Sequence, residues 1–167
     1  MLQGMALSTR VFLALAWGAA LGAQTPPDSH ALPAAPDILA AHNTVREKLN
    51  LPPLTWSDQL AAWAHDWAYE LLLSDEFAHR SRNPYGENLY EIRNGAATPV
   101  RVVTAWSVEA TGYDYLANRC HSMCGHYTQL VWRETRAVGC AVAHDSHRQV
   151  WVCNYDPPGN VAGKRPY

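Results

Sequence analysis

Val138-Gly139-Cys140-Ala141-Val142-Ala143-His144-Asp145-Ser146-His147-Arg148-Gln149-Val150-Trp151-Val152-Cys153-Asn154-Tyr155 is the stretch on which the fold turns. Two runs rich in valine and aromatic residues flank the polar positions 144–149, which is the pattern of a β-hairpin. With the turn centred on Ser146 and His147, Cys140 falls opposite Cys153, and a cross-strand bridge there is sterically reasonable. Four cysteines permit three connectivities. The hairpin register favours Cys140–Cys153, leaving Cys120–Cys124 to close a small loop just before Gly125.

Upstream, the apolar period changes to that of helices. Asp37 is placed to cap a first helix with Ile38, Ala41/His42, Val45 and Leu49 at helical spacing, and Pro52-Pro53 stops it. Ser57 caps a second, whose buried stripe is Leu60, Ala64, Trp67 and Leu71 and which fades near Ser74. Tyr85 to Tyr90 reads as a short strand. Thr98-Pro99 opens a third helix, with Val102, Ala105/Trp106 and Glu109 on one face. Gly125-His126-Tyr127-Thr128-Gln129-Leu130-Val131-Trp132 reads as a short helix ahead of the hairpin. Helices bracketing a few strands predict an α+β domain layered helix/sheet/helix.

The N-terminus points to export. Arg10, the apolar run Val11 to Leu21 and the small residues Ala20, Gly22 and Ala23 predict a signal peptide over residues 1–23. That run is roughly a dozen residues, against the ~20 a spanning helix needs, so no membrane anchor is expected. Residues 24–36 hold four prolines and read as a loose tether, with the domain proper over 37–167. Basic residues number 13 against 15 acidic and are scattered, which argues against nucleic acid or an anionic membrane as partner. An even cysteine count in an exported chain predicts two disulfides.

Four residues look odd if folding alone is considered. Glu109 sits in an apolar stripe, where a carboxylate is costly to bury unpaired. Glu87 stands between Gly86 and Asn88 at a strand start, His126 between a disulfide loop and Leu130-Val131-Trp132, and His79 in a loop beside Arg80 and Arg82. Singly, each has an ordinary reading as a solvated or hydrogen-bonded residue.

His42-Asn43-Thr44-Val45-Arg46, Gly86-Glu87-Asn88-Leu89, the His126 run and residues 150–160 resemble, in order, the four signature motifs of the CAP superfamily of cysteine-rich secretory, antigen 5 and pathogenesis-related 1 proteins. The likeness covers about residues 37 to 167. It implies a three-layer α-β-α sandwich of the CAP (SCP) type and a central cleft of His79, Glu87, Glu109 and His126. In that cleft the two histidines are the expected metal ligands, Zn2+ or a similar divalent ion, with the glutamates behind them. His42, Asn43 and Arg46 are expected to tie the first helix to neighbouring backbone instead.

The resemblance further implies an extracellular, monomeric binding module, with a sterol or small lipid, or an extracellular protein, as partner and a role in defence. Two alternatives stand beside it: a metal-dependent hydrolase, and a surface ligand or inhibitor with an idle cleft. No serine or cysteine nucleophile accompanies the cleft and no His-Glu-x-x-His helix is present, so the binding reading is preferred to the enzyme.

Overall fold

In a computed structural model, which describes Met1 and residues 35–167, the late hairpin is the centre of the molecule. Residues 2–34, holding the expected leader and most of the tether, lie outside the described residues. Strands β5 (Ala137–His144) and β6 (Arg148–Asp156) pair antiparallel with Cys140 opposite Cys153, and those two cysteines are bridged. β2 (Gly86–Arg93) adds antiparallel to β6, and β1 (Thr55–Trp56) adds parallel to β5, giving the order β1-β5-β6-β2. The two-residue β1 is too short to show in a sequence pattern.

Period-2 alternation sends the hairpin's side chains into two cores. Val138, Cys140, Val142, Trp151, Cys153 and Tyr155 face one way, against α1 (Ala35–Glu47), α3 (Pro99–Ser107) and α4 (Gly125–Leu130). Ala141, Ala143, Val150 and Val152 face the other, against α2 (Asp58–Ser74). The result is the α-β-α sandwich. A second disulfide, Cys120–Cys124, closes the segment between α4 and a small ribbon of β3 (Tyr113–Asp114) and β4 (Arg119–Cys120).

The helix caps follow side-chain chemistry. Ser57 Oγ accepts from Leu60 N at 3.3 Å, and Thr98 Oγ1 accepts from Arg101 N at 3.3 Å with Pro99 beginning the helix. Three helix boundaries differ from expectation, and the strand expected over Tyr85 to Tyr90 runs on to Arg93. α1 is already helical at Ala35, so Asp37 lies in its first turn and does not cap it. It ends at Glu47, well before Pro52-Pro53, because Asn50 turns the chain through a left-handed conformation (φ 52°) that asparagine tolerates. α3 ends at Ser107, and Glu109 belongs to a 3-10 turn over Val108–Gly112 rather than to an apolar α-helical stripe.

The buried stripe of α2 is also narrower than its sequence suggests. Leu60, Ala61, Ala64, Ala68 and Leu71 are buried, while Trp67 lies half-buried at the flank and donates from Nε1 to Ala78 O at 3.0 Å. Alanines suffice because helix and strand nearly touch. A Cβ at Gly139 would lie 2.2 Å from Ala61 N and 2.5 Å from Ser57 O, both backbone atoms that cannot yield cheaply. Gly139→Ala should therefore destabilise the domain by about 1–3 kcal/mol or more. Equilibrium denaturation measures it, and a variant as stable as the wild type would show that α2 is not seated on this glycine.

Candidate functional site

Two histidine–glutamate pairs, each built from a different corner of the fold, meet at one cleft. Glu87 is the second residue of β2, its carboxylate almost wholly buried and its position held by the β2–β6 ladder opposite Asn154. Its Oε1 accepts from His79 Nδ1 at 2.7 Å and from Arg80 N at 3.0 Å, and its Oε2 accepts from Asn83 Nδ2 at 3.0 Å. One carboxylate thus folds the loop after α2 back onto the sheet. Glu109 does the same for α4: Oε2 accepts from His126 N at 3.0 Å and Oε1 from His126 Nδ1 at 2.7 Å. The 3-10 turn that follows α3 is what aims Glu109 at the start of α4.

A carboxylate only accepts, so each pairing places the imidazole proton on Nδ1 and leaves the Nε2 lone pair unused. Neither Nε2 has a hydrogen-bond partner among the described residues. His79, Glu87, Asn88, Met123, Gly125, His126 and Asn160 line a cleft of about 240 Å³. Glu109 does not line it and sits behind His126. The structure therefore brings His79, Glu87 and His126 to one cavity and places Glu109 as the support of the second histidine. The hydrogen bond to Glu87 raises the pKa of His79 above the ordinary imidazole value, against a smaller opposing effect of burial. The His126 ring stacks on Trp106 with centroids 6.3 Å apart, which fixes the plane the ring can adopt.

Behind the cleft runs a buried relay. His42 Nδ1 donates to Ile38 O at 2.7 Å, and its Nε2 accepts from Tyr155 Oη at 2.9 Å. Tyr155 Oη in turn accepts from Asn88 Nδ2 at 3.2 Å, and the same amide nitrogen donates to His126 O at 3.0 Å. Burial, with Arg46 nearby, pushes the pKa of His42 down to about 4, so it is neutral in the folded protein. His42, Cys140 and Cys153 are, among the described residues, the group whose potential ligand atoms approach within 4.8 Å. They do not fit a metal: both sulfurs are committed to the disulfide, and both ring nitrogens of His42 are in hydrogen bonds.

Met123, Asn88, Gly125 and Asn160 join the cleft without having been singled out for it. Asn160 comes from the turn after β6, where Nδ2 donates to Gly125 O at 2.9 Å and Oδ1 accepts from Thr128 Oγ1 at 2.6 Å. Asn88, Gly125 and Asn160 belong to the motif runs themselves, and the signal for Met123 was proximity: it stands between Cys120 and Cys124, just ahead of the His126 run.

An α-β-α sandwich with two His–Glu pairs converging on one cleft is the architecture the four motifs imply. The sequence profile of the cysteine-rich secretory protein (CAP) family matches residues 39–155, and the chain belongs to that family. It is 45% identical to pathogenesis-related protein 1A of Nicotiana tabacum over 134 residues, 78% of this chain and 79% of that one. It is 34% identical to pathogenesis-related protein PRMS of Zea mays over 168 residues, 98% of this chain and 100% of that one. In three dimensions it resembles venom allergen-like protein 4 of Schistosoma mansoni, with TM-score 0.67 and 23% identity over 85% of this chain and 95% of that one. It also resembles the protein NaASP2 crystallised with Zn2+, with TM-score 0.67 and 23% identity over 86% of this chain and 90% of that one. Among the described residues no helix is long and apolar enough to cross a membrane.

Proposed function

We propose that this protein is a secreted defence-type CAP module whose central cleft binds a divalent metal ion such as Zn2+ through His79 Nε2 and His126 Nε2. The observation that carries the reading is the pair of Nδ1–carboxylate hydrogen bonds, both 2.7 Å, which orient two unpartnered Nε2 atoms at one cleft. A carboxylate behind a ligating histidine fixes its tautomer, aims its ring and raises its basicity. A bound ion would supply a fixed positive charge and open coordination positions for water or a ligand. The relatives' designation as pathogenesis-related, and the zinc in the NaASP2 crystal, support the same reading. Binding is preferred to turnover because all four cysteines are in disulfides and both glutamates are engaged with their histidines, which leaves neither a thiol nucleophile nor a free carboxylate at the cleft.

Calorimetric titration with Zn2+ tests this. Wild type should bind, the double variant His79→Ala/His126→Ala should not, and Glu109→Gln should weaken binding by about 10–100-fold. Equal zinc affinity in wild type and the double variant would remove the cleft as the site.

A small-lipid role has one observation in its favour: Leu116 stands 86% exposed beside Tyr115 on the β3–β4 loop. The leucine and the adjoining tyrosine, 44% exposed, together offer apolar surface to a lipid or sterol. Sterol binding on this basis survives chelation of the metal and is lost in Leu116→Glu; the opposite pattern would assign the lipid to the cleft.

A further inference from the structure

Met123 is 71% exposed, although methionine is by composition statistics a core residue. It does not lie on a free loop. Cys120 and Cys124 tie the segment at both ends, and Gly125 and His126 follow at once as the first turn of α4. The side chain lines the same cleft as His79 and His126. Covalent closure of the loop thus holds a thioether residue at the same cleft that His79 and His126 line.

The carboxylates of the cleft and the Asn160 amide are already engaged. Glu87 spends both oxygens on His79, Arg80 and Asn83. Glu109 spends both on the side chain and backbone of His126. Asn160 uses its amide nitrogen on Gly125 and its oxygen on Thr128. What remains at the cavity is the Nε2 atoms of two imidazoles, one thioether and the Asn88 amide oxygen, whose nitrogen alone is committed, to His126 O and Tyr155 Oη. Imidazole serves zinc and copper alike, whereas thioether sulfur is a soft donor that discriminates in favour of Cu(I) and adds little for Zn2+.

We propose that Met123 is a third, soft donor of the cleft, and that with His79 and His126 it makes the site selective for Cu(I) over Zn2+. The proposal rests on the metal-binding reading above and adds to it the identity of the preferred ion. Conversion of the thioether to the sulfoxide, a polar and harder group, would abolish that preference while leaving both histidines in place.

The test uses the disulfide-intact protein, with Cu(I) supplied anaerobically under ascorbate and its affinity read by competition with a coloured Cu(I) chelator. Zn2+ is titrated separately by calorimetry. Met123→Leu keeps the side chain's bulk at an exposed position, and an unchanged melting temperature shows that the fold is intact. Expected is a loss of about 10-fold or more in Cu(I) affinity for Met123→Leu, the scale of removing a group that supports a metal, with Zn2+ affinity unaltered. A second readout is spectroscopic. Of the three methionines, Met1 and Met5 lie in the expected leader, so the processed chain carries one methionine methyl resonance. That resonance should shift with Cu(I), or with redox-inert Ag+, and stay in place with Zn2+. Cu(I) affinity indifferent to Met123→Leu, or a methyl that does not move with either soft ion, overturns the proposal while zinc binding stands. Failure of wild type to bind either Zn2+ or Cu(I) overturns the metal reading itself.

Discussion

Arg46→Ala should cost about 3–5 kcal/mol of folding stability, the scale of leaving buried polar groups without their charged partner. A domain of this size holds about 5–15 kcal/mol in all, so the variant should sit near the edge of folding at room temperature. Arg46 is fully buried, and the cation is solvated by carbonyl oxygens: Nε donates to Pro52 O at 2.9 Å, Nη1 to Leu130 O at 3.1 Å and Trp132 O at 2.9 Å, and Nη2 to Thr135 O at 3.3 Å. Burial pushes its pKa down to about 10, which still leaves it charged at any ordinary pH. Three of the four acceptors belong to the end of α4 and the segment after it, so the residue clamps the helix that carries His126. Arg46→Met restores volume but not the donors and should recover only a minority of the loss. Urea denaturation of both variants measures this; a stability within 1 kcal/mol of wild type for Arg46→Ala would mean that water enters to replace the guanidinium.

Acidification from pH 7 to about 4 should remove roughly 3 kcal/mol through His42 alone, given its folded pKa of about 4 against 6.5 in the unfolded chain. The folded state holds His42 neutral, so across this window the unfolded state binds more protons and gains on the native state as pH falls. The contribution is complete above pH 6.5 and is lost progressively down to about pH 4. Asp75, Asp114 and Asp145, held below the usual carboxylate range by their hydrogen-bond partners, keep their contribution through most of this window and lose it only at lower pH. His79, raised by Glu87, works in the opposite sense, but it is largely exposed and its contribution is small. Denaturation midpoints followed from pH 7 to 4.5 should decline, while the His42 ring resonances in the folded protein show no midpoint near 6.5 and begin to move only toward the acid end of the range. Titration of the folded His42 near 6.5 would refute the assignment and imply that the Ile38 and Tyr155 bonds open readily.

Two glycines of the sheet differ in how far the sequence shows their role. Gly86 could be read as a motif member beside Glu87 because the motif is a run along the chain. Gly139 stood in the sequence only as one position of the hairpin's first strand, and its role emerges from the approach of α2, an element some 80 positions earlier in the chain. The same division holds in the candidate site. Glu109 was legible as a costly carboxylate near apolar residues, but the helix expected to carry it ends at Ser107. Its true neighbour, His126, is reached because the 3-10 turn redirects the chain.

By itself the sequence determined the local matters: the helix caps at Ser57 and Thr98, the alternation of the late hairpin, the register that pairs Cys140 with Cys153, and the four motifs that define the family. Each depends on residues close in the chain or on a period that backbone geometry imposes. Only the tertiary structure decided which glutamate supports which histidine, that both Nε2 atoms are left at one cleft, and that Met123 stands there with them. It also turned His42 from a motif residue into a neutral link between α1 and the backbone of His126. Those are long-range contacts, set by how three layers pack and by where buried donors find acceptors, and no spacing along the chain encodes them directly.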